Sequence, residues 1–191
     1  MSVCISTPSL HEDLLTPCFY PTGIAKAAQA NLSEQRQCFE AMLLEMERDD
    51  SRDNFDRKAS LDRLAELNPK ERQAYGSYLV RSCVCEFSGF LLFKELSRRL
   101  ASKGRHELSR LFNLMARDEA RYAGFFNRPL LADGIAIDLH SFSARRAIIW
   151  FPLSWVLYSM VLSEKIGYWH CILIDRHRNA NPPGGAAPEA V

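Results

Sequence analysis

Three stretches of this chain repeat one pattern, an apolar stripe at alternating steps of three and four residues interrupted once by a glutamate. The first runs Leu79, Cys83, Glu86, Phe90, Phe93. The second is Phe112, Met115, Glu119, Tyr122, Phe126, and the third Leu157, Val161, Glu164, Tyr168, Cys171. That spacing belongs to α-helices with one covered face. A carboxylate inside such a face costs several kcal/mol, roughly, unless a partner compensates its charge. A lone glutamate of this kind is commonly an edge residue that reaches solvent. Three of them on successive long helices point to a cation instead, because carboxylates on facing helices are how bundles hold two metals. Glu-x-x-His is the usual spacing at such centres. Here the position three residues after Glu119 is Tyr122.

Taken in order, residues 1–22 contain Pro8, Pro17 and Pro21 and are expected to form an extended arm. A first helix is expected over about 33–48, with Phe39, Met42, Leu43 and Met46 on its apolar face. The charge-dense 49–57 reads as a solvated connection, and a short helix is expected over 59–67. Pro69 suits the first turn of a long helix, with Glu71 near its positive end. That helix should reach about Ser102 and stop at Gly104. On it, Glu95, Arg98 and Arg99 fall on other faces and are expected to be solvated. The next helix covers about 105–131, and Asp133-Gly134 closes it with turn chemistry. After Pro152 a last helix runs to about His177. No strand signal emerges from this reading, so the expected fold is all-α. Domain bounds follow as arm 1–22, helical domain 23–178 and a disordered tail 179–191.

Several functions are disfavoured at once. A net charge of +1 with 25% charged residues gives no electrostatic case for nucleic acid. There is no G-x-G-x-x-G or Walker-type loop, and no nucleophile elbow near the five histidines. Six cysteines form no CxxC pair. Cys83 and Cys85 would sit roughly 200° apart around a helix, so free or buried thiols are expected. His170 and His177 are not three residues from Glu164, which favours surface or ligand-supporting roles. Neither a secretory signal nor an organellar transit peptide is apparent at the N-terminus. The uncharged 147–163 is short of a membrane span and contains Pro152. It reads as a buried helix or, given Trp150, Phe151, Trp155 and Tyr158, as a membrane-surface contact.

Leu14-Leu15-Thr16-Pro17-x-Phe19-Tyr20, Glu86-Phe-Ser-Gly-Phe-Leu-Leu-Phe-Lys-Glu-Leu96, Met115-Ala-Arg-Asp-Glu-Ala-Arg121 and Leu162-Ser-Glu-Lys-Ile-Gly-Tyr-Trp169 resemble the aerobic magnesium-protoporphyrin IX monomethyl ester oxidative cyclase family. The resemblance covers nearly everything from Leu14 to Pro182. It implies a ferritin-like bundle with a di-iron centre and peripheral membrane association. It also implies an O2-dependent oxidation of a Mg-porphyrin ester side chain that closes the fifth ring of chlorophyll. It implies, further, electrons derived ultimately from NADPH and a small accessory protein that often assists. By the same resemblance Glu86 is a terminal carboxylate, Glu119 a bridging one, Glu164 the carboxylate of the third ligand helix, and Asp118 a partner that orients a histidine ligand. A cytoplasmic or photosynthetic-membrane-peripheral location follows, with a bacterial or plastid-encoded origin.

Two departures from the family pattern stand out. Its Asp-Glu-Ala-Arg-His motif ends here in Tyr122. Past Arg176-His177 and Asn181-Pro182 the family continues into a fourth ligand helix with another Glu-x-x-His, whereas this chain runs into Pro-Pro-Gly-Gly-Ala-Ala. The expectation is therefore a C-terminally truncated, ferritin-like helical bundle lacking its fourth ligand helix, its di-iron centre incomplete or absent. Loss even of a group that supports a ligand weakens a metal site ~10–100-fold. Tyrosinate can bind ferric iron, so Tyr122 is an alternative ligand. The readings that remain are a cyclase-type enzyme, an inactive shortened homologue that binds porphyrin or a full-length cyclase as scaffold or regulator, and a decayed gene product.

Overall fold

The computed structural model describes residues 16–49, 67–132, 134–139 and 146–180. The helix expected over 59–67 lies outside them except for Leu67, as do most of the 49–57 connection, the first fifteen residues of the arm and the tail from residue 181. The chain divides into two compact units, Met1–Trp150 and Phe151–Val191.

A helical hairpin dominates the first unit. Its first arm, α3, spans Pro69–Ala101. It starts where it does because Asn68 and Glu71 form a capping box. The Asn68 Oδ1 accepts from the Glu71 N–H at 3.0 Å, and the Glu71 carboxylate accepts from the Asn68 N–H at 3.4 Å. These bonds satisfy backbone donors that the first turn leaves open, and Pro69 follows with no N–H to satisfy. The helix ends in a Schellman arrangement, with Arg105 N–H donating to Leu100 O and Gly104 N–H to Ala101 O. Gly104 there has φ 71°, a conformation that side chains disfavour. The chain turns directly into α4, His106–Ala132. Bonds from Gly134 N–H to Leu131 O and from Ile135 N–H to Leu130 O close that helix in the same way. Asp133, expected in this turn, lies outside the described residues.

The α3 and α4 stripes meet as their periodicity requires. Leu79, Val80, Cys83 and Val84 of α3 form one buried cluster with Ala123 and Leu130 of α4 and with Ile137 beyond it. Farther along, Phe93 stacks on Phe112 with ring centroids 5.8 Å apart. Burial of such side chains, at ~25 cal/mol per Å² of apolar area, is what holds two long helices together.

Helix α2, Arg36–Arg48, follows a 3-10 turn at Ser33–Gln35. It buries only Leu43 and leaves Met42 and Leu44 exposed. Polar groups of α4 do much of the docking. Arg110 forks onto Glu47 with two 2.6 Å bonds and reaches Glu40 at 3.2 Å. Arg117 donates to Met46 O at 2.7 Å, and Glu107 accepts from Arg36 at 2.6 Å. At 100° per residue, Arg110, Arg117 and Arg121 lie on the side of α4 opposite Glu119. Helix α4 is thus apolar toward α3 and ionic toward α2.

Three expectations need correction. The chain is predominantly helical as anticipated, yet two strands, β1 (Thr16–Thr22) and β2 (Arg146–Pro152), pair in a two-stranded sheet. The run from Ile148 to Phe151 is rich in residues that favour strands, and the residue before Pro152 is biased to extended backbone. The uncharged 147–163 is accordingly strand and then helix, rather than one buried helix. Arg99 is not simply solvated, because it donates to Pro21 O and ties α3 to β1; Glu95 does pair with Arg98, at 2.7 Å. A short helix α1, Ile24–Ala27, follows β1 and buries Ile24.

Helix α5, Leu153–Ala180, makes up the described part of the second unit. It buries Leu153 and Val156, but the stripe expected to face inward is open. Val161 is 59% and Tyr168 65% exposed. Periodicity identifies the face that a partner would cover and does not supply the partner. No described helix is long and apolar enough to cross a membrane.

Candidate functional site

Glu86 and Glu119 come from the two helices of the hairpin, and each is partly buried. The Glu119 carboxylate lies against α3 at Gly89. A Cβ there would stand 2.8 Å from Glu119 Cδ, 2.9 Å from Oε2 and 3.0 Å from Oε1. Such distances are below any normal carbon contact, so only glycine leaves the carboxylate that place. Gly89 is three residues after Glu86, hence on its face and one turn along. The carboxylate of α4 is thereby brought beside the turn of α3 that carries the other.

Below this level the interior is apolar. Cys83, fully buried, donates its thiol to Ala123 O at 3.3 Å. Burial, and then the nearby Glu86 charge, push its pKa up to about 12 from the ordinary 9.0. The thiol is therefore a neutral donor in the core. Cys38 and Cys85 are exposed, and neither is in a disulfide with another described residue.

Asp118, expected to orient a histidine, is engaged by two arginines, accepting from Arg117 Nε at 2.8 Å and Arg121 Nη1 at 3.2 Å. Arg117 in turn holds the last turn of α2. Asp118 thus links the site helix to the α2 clamp. Tyr122 sits on the Glu119 side of α4 but is 46% exposed. Glu164 belongs to the second unit, on the exposed length of α5. The side chains of His170, His177 and Cys171 lie outside the described residues.

These residues do not fit a complete di-iron centre. Two carboxylates from two packed helices and a half-exposed phenol fall short of the bundle pattern, which takes four carboxylates and two histidines. Among the described residues no group of three or more His, Cys, Asp or Glu side chains is placed to hold a metal. Sequence reasoning named Glu86 and Glu119 as candidates and did not single out Gly89, although Gly89 stands inside the Glu86-Phe-Ser-Gly motif. A glycine in mid-helix, where it costs about 1 kcal/mol relative to alanine, was the available signal.

The chain is similar to curated proteins named magnesium-protoporphyrin IX monomethyl ester [oxidative] cyclase. One from Prochlorococcus marinus (strain MIT 9313) is 58% identical over 181 residues, 95% of this chain and 52% of the relative. Another, numbered 2, from Thermosynechococcus vestitus is 50% identical over 178 residues, 93% of this chain and 50% of the relative. A third, numbered 1, from Nostoc sp. is 47% identical over 179 residues, with the same shares. The chain spans about half the length of the curated relatives it matches. No solved structure matches it. Residues 77–190 match the family described as Rubrerythrin, and they include both carboxylate-bearing helices of the hairpin and α5. The chain belongs to the rubrerythrin family.

Proposed function

We propose that these residues belong to an O2-dependent oxidative cyclase acting on a magnesium-porphyrin monomethyl ester. The observation that carries this reading is the 58% identity over 95% of the chain to a relative of that name. The hairpin supports it, because Glu119 is seated on α3 one turn from Glu86. Glu86, Glu119 and Glu164 are the carboxylates we assign to metal binding. The reaction is an oxidation of the ester side chain followed by closure of a carbocycle, with NADPH-derived electrons, in chlorophyll formation. A small accessory subunit and contact with the photosynthetic membrane surface belong to the same reading. Since the donor set described above falls short of a di-iron centre, the activity is assigned to the protein that contains these residues, not to the hairpin by itself.

What the chain's own residues contribute is positioning. Two long helices, registered by the Cys83–Ala123 hydrogen bond and the Phe93–Phe112 stack, fix the Glu119 backbone against α3. Opposite, Arg117 and Arg110 brace α4 against α2. A carboxylate held from both sides loses little freedom on binding a ligand.

The half-exposed Tyr122 in the histidine position favours a second reading, in which the chain is a non-catalytic homologue that modulates a complete cyclase. One experiment separates the two. The purified chain is given Mg-protoporphyrin IX monomethyl ester, dioxygen and an NADPH-driven reductant, alone and with a complete cyclase. Stoichiometric iron and product formation by the chain alone support the first reading. No iron and no product, with an altered rate of the complete enzyme, support the second. Absence of all three effects sinks the second reading, and the first is sunk when a longer protein containing these residues also forms no product.

A further inference from the structure

The three atoms nearest the position of a Cβ at Gly89 all belong to the Glu119 carboxylate. That glycine stands on a buried face of a 33-residue helix, where alanine is the better helix former. Its backbone needs no special conformation, as Gly89 is not among the positive-φ glycines. Helix geometry alone gives no reason for glycine here, while the carboxylate gives one. The crowded atoms are the far end of a side chain with three rotatable bonds. A Cβ at residue 89 therefore displaces the carboxylate rather than the helix, and the consequence falls on where Glu119 points.

We propose that Gly89 is a positioning residue, whose missing side chain seats the Glu119 carboxylate on α3 one turn from Glu86. The inference rests on the proposed role of Glu119 only for what that carboxylate binds, not for where it lies. It makes residue 89 a determinant of ligand geometry. Any side chain there turns the Glu119 oxygens away from the Glu86 face, with both helices in place.

The test uses the full chain labelled with 13Cδ-glutamate, the Glu119 resonance being identified by its loss in Glu119→Gln. In Gly89→Ala the Glu119 resonance is expected to move, with circular dichroism unchanged and Tm held or raised by the better helix former. Resonances of exposed glutamates such as Glu34 stay in place. An unmoved Glu119 resonance in a folded Gly89→Ala chain overturns the proposal. Should Gly89→Ala fail to fold, Gly89→Ala/Glu119→Ala supplies the decision. Removing the carboxylate vacates the space, so the double variant must fold, and its failure also overturns the proposal. Iron content of the wild-type chain tests the metal-binding reading separately. An iron-free wild type with a moved resonance in Gly89→Ala removes the assigned role of Glu119 and keeps that of Gly89.

Discussion

The Asn127 side chain brackets the Ile137 peptide, its Nδ2 donating to Ile137 O and its Oδ1 accepting from Ile137 N–H, both at 2.8 Å. One amide thus does for the 134–139 segment what a paired strand would do, and it seats Ile137 in the core beside Leu130. Asn127→Ala leaves a buried-side N–H and C=O without these partners. We expect a loss of about 1–3 kcal/mol, read as a Tm lower by roughly 2–12 °C. Asn127→Asp keeps the acceptor and loses the donor, and should fall between. A melt of Asn127→Ala that matches the wild type would remove this segment from the stability of the hairpin.

The buried thiol makes a chemical prediction. Since the Cys83 pKa is pushed up to about 12, it stays protonated where ordinary thiols begin to react. At pH 8, iodoacetamide followed by peptide mass spectrometry should modify Cys38 and Cys85 and spare Cys83 until denaturant is added. The sign for stability follows. In the unfolded chain this thiol ionises near 9.0, while in the folded chain it holds its proton up to about 12. The contribution of Cys83 is complete below 9.0 and declines as pH rises between those values. Cys83→Ala should flatten that part of the alkaline limb of a stability profile.

Docking of α2 should respond to acid and salt more than the hairpin does. The Arg110 guanidinium beside Glu47 holds its carboxyl below the usual 4.5. A depressed carboxyl stabilises above its unfolded value, and that contribution is lost as pH falls through the lower folded one. Hydrogen exchange should show the amides of 36–48 losing protection as pH drops below 4.5 and as NaCl rises, with α3 and α4 unaffected. Glu47→Gln should reproduce the loss at neutral pH. Equal loss of protection in α2 and α3 would mean that the ionic clamp is not what holds α2.

The cap of α3 offers a fourth measurement. Asn68→Ala removes the acceptor for Glu71 N–H, and caps of this kind are worth ~1 kcal/mol. Urea unfolding should show a lower midpoint with an unchanged slope, because the surface exposed on unfolding does not change. Asn68→Asp, which retains the acceptor oxygen, should restore the midpoint.

Much of the helical frame was legible in the residues themselves. Asn68-Pro69, Gly104 and Gly134 mark starts and stops because capping is a local matter of backbone donors, acceptors and φ. The stripes through Glu86 and Glu119 name the faces that pack, because a 3.6-residue period converts spacing directly into direction. Motif and identity together were enough for family membership. Tertiary structure decided what depends on groups distant in the chain. The pairing of 16–22 with 146–152 is non-local, so no window of sequence contains it. The third stripe, around Glu164, has the same period as the other two yet lies exposed, since period carries no information about a partner. Arg99, Arg110 and Arg117 look like solvated charges in sequence, and become ties to Pro21, Glu47 and Met46 only when those groups arrive within hydrogen-bond reach. Gly89 is the clearest case. In sequence it is a weak spot in a helix, and in the fold it is where the carboxylate of Glu119 lies against α3, because two helices must first approach before a missing methyl group becomes a site.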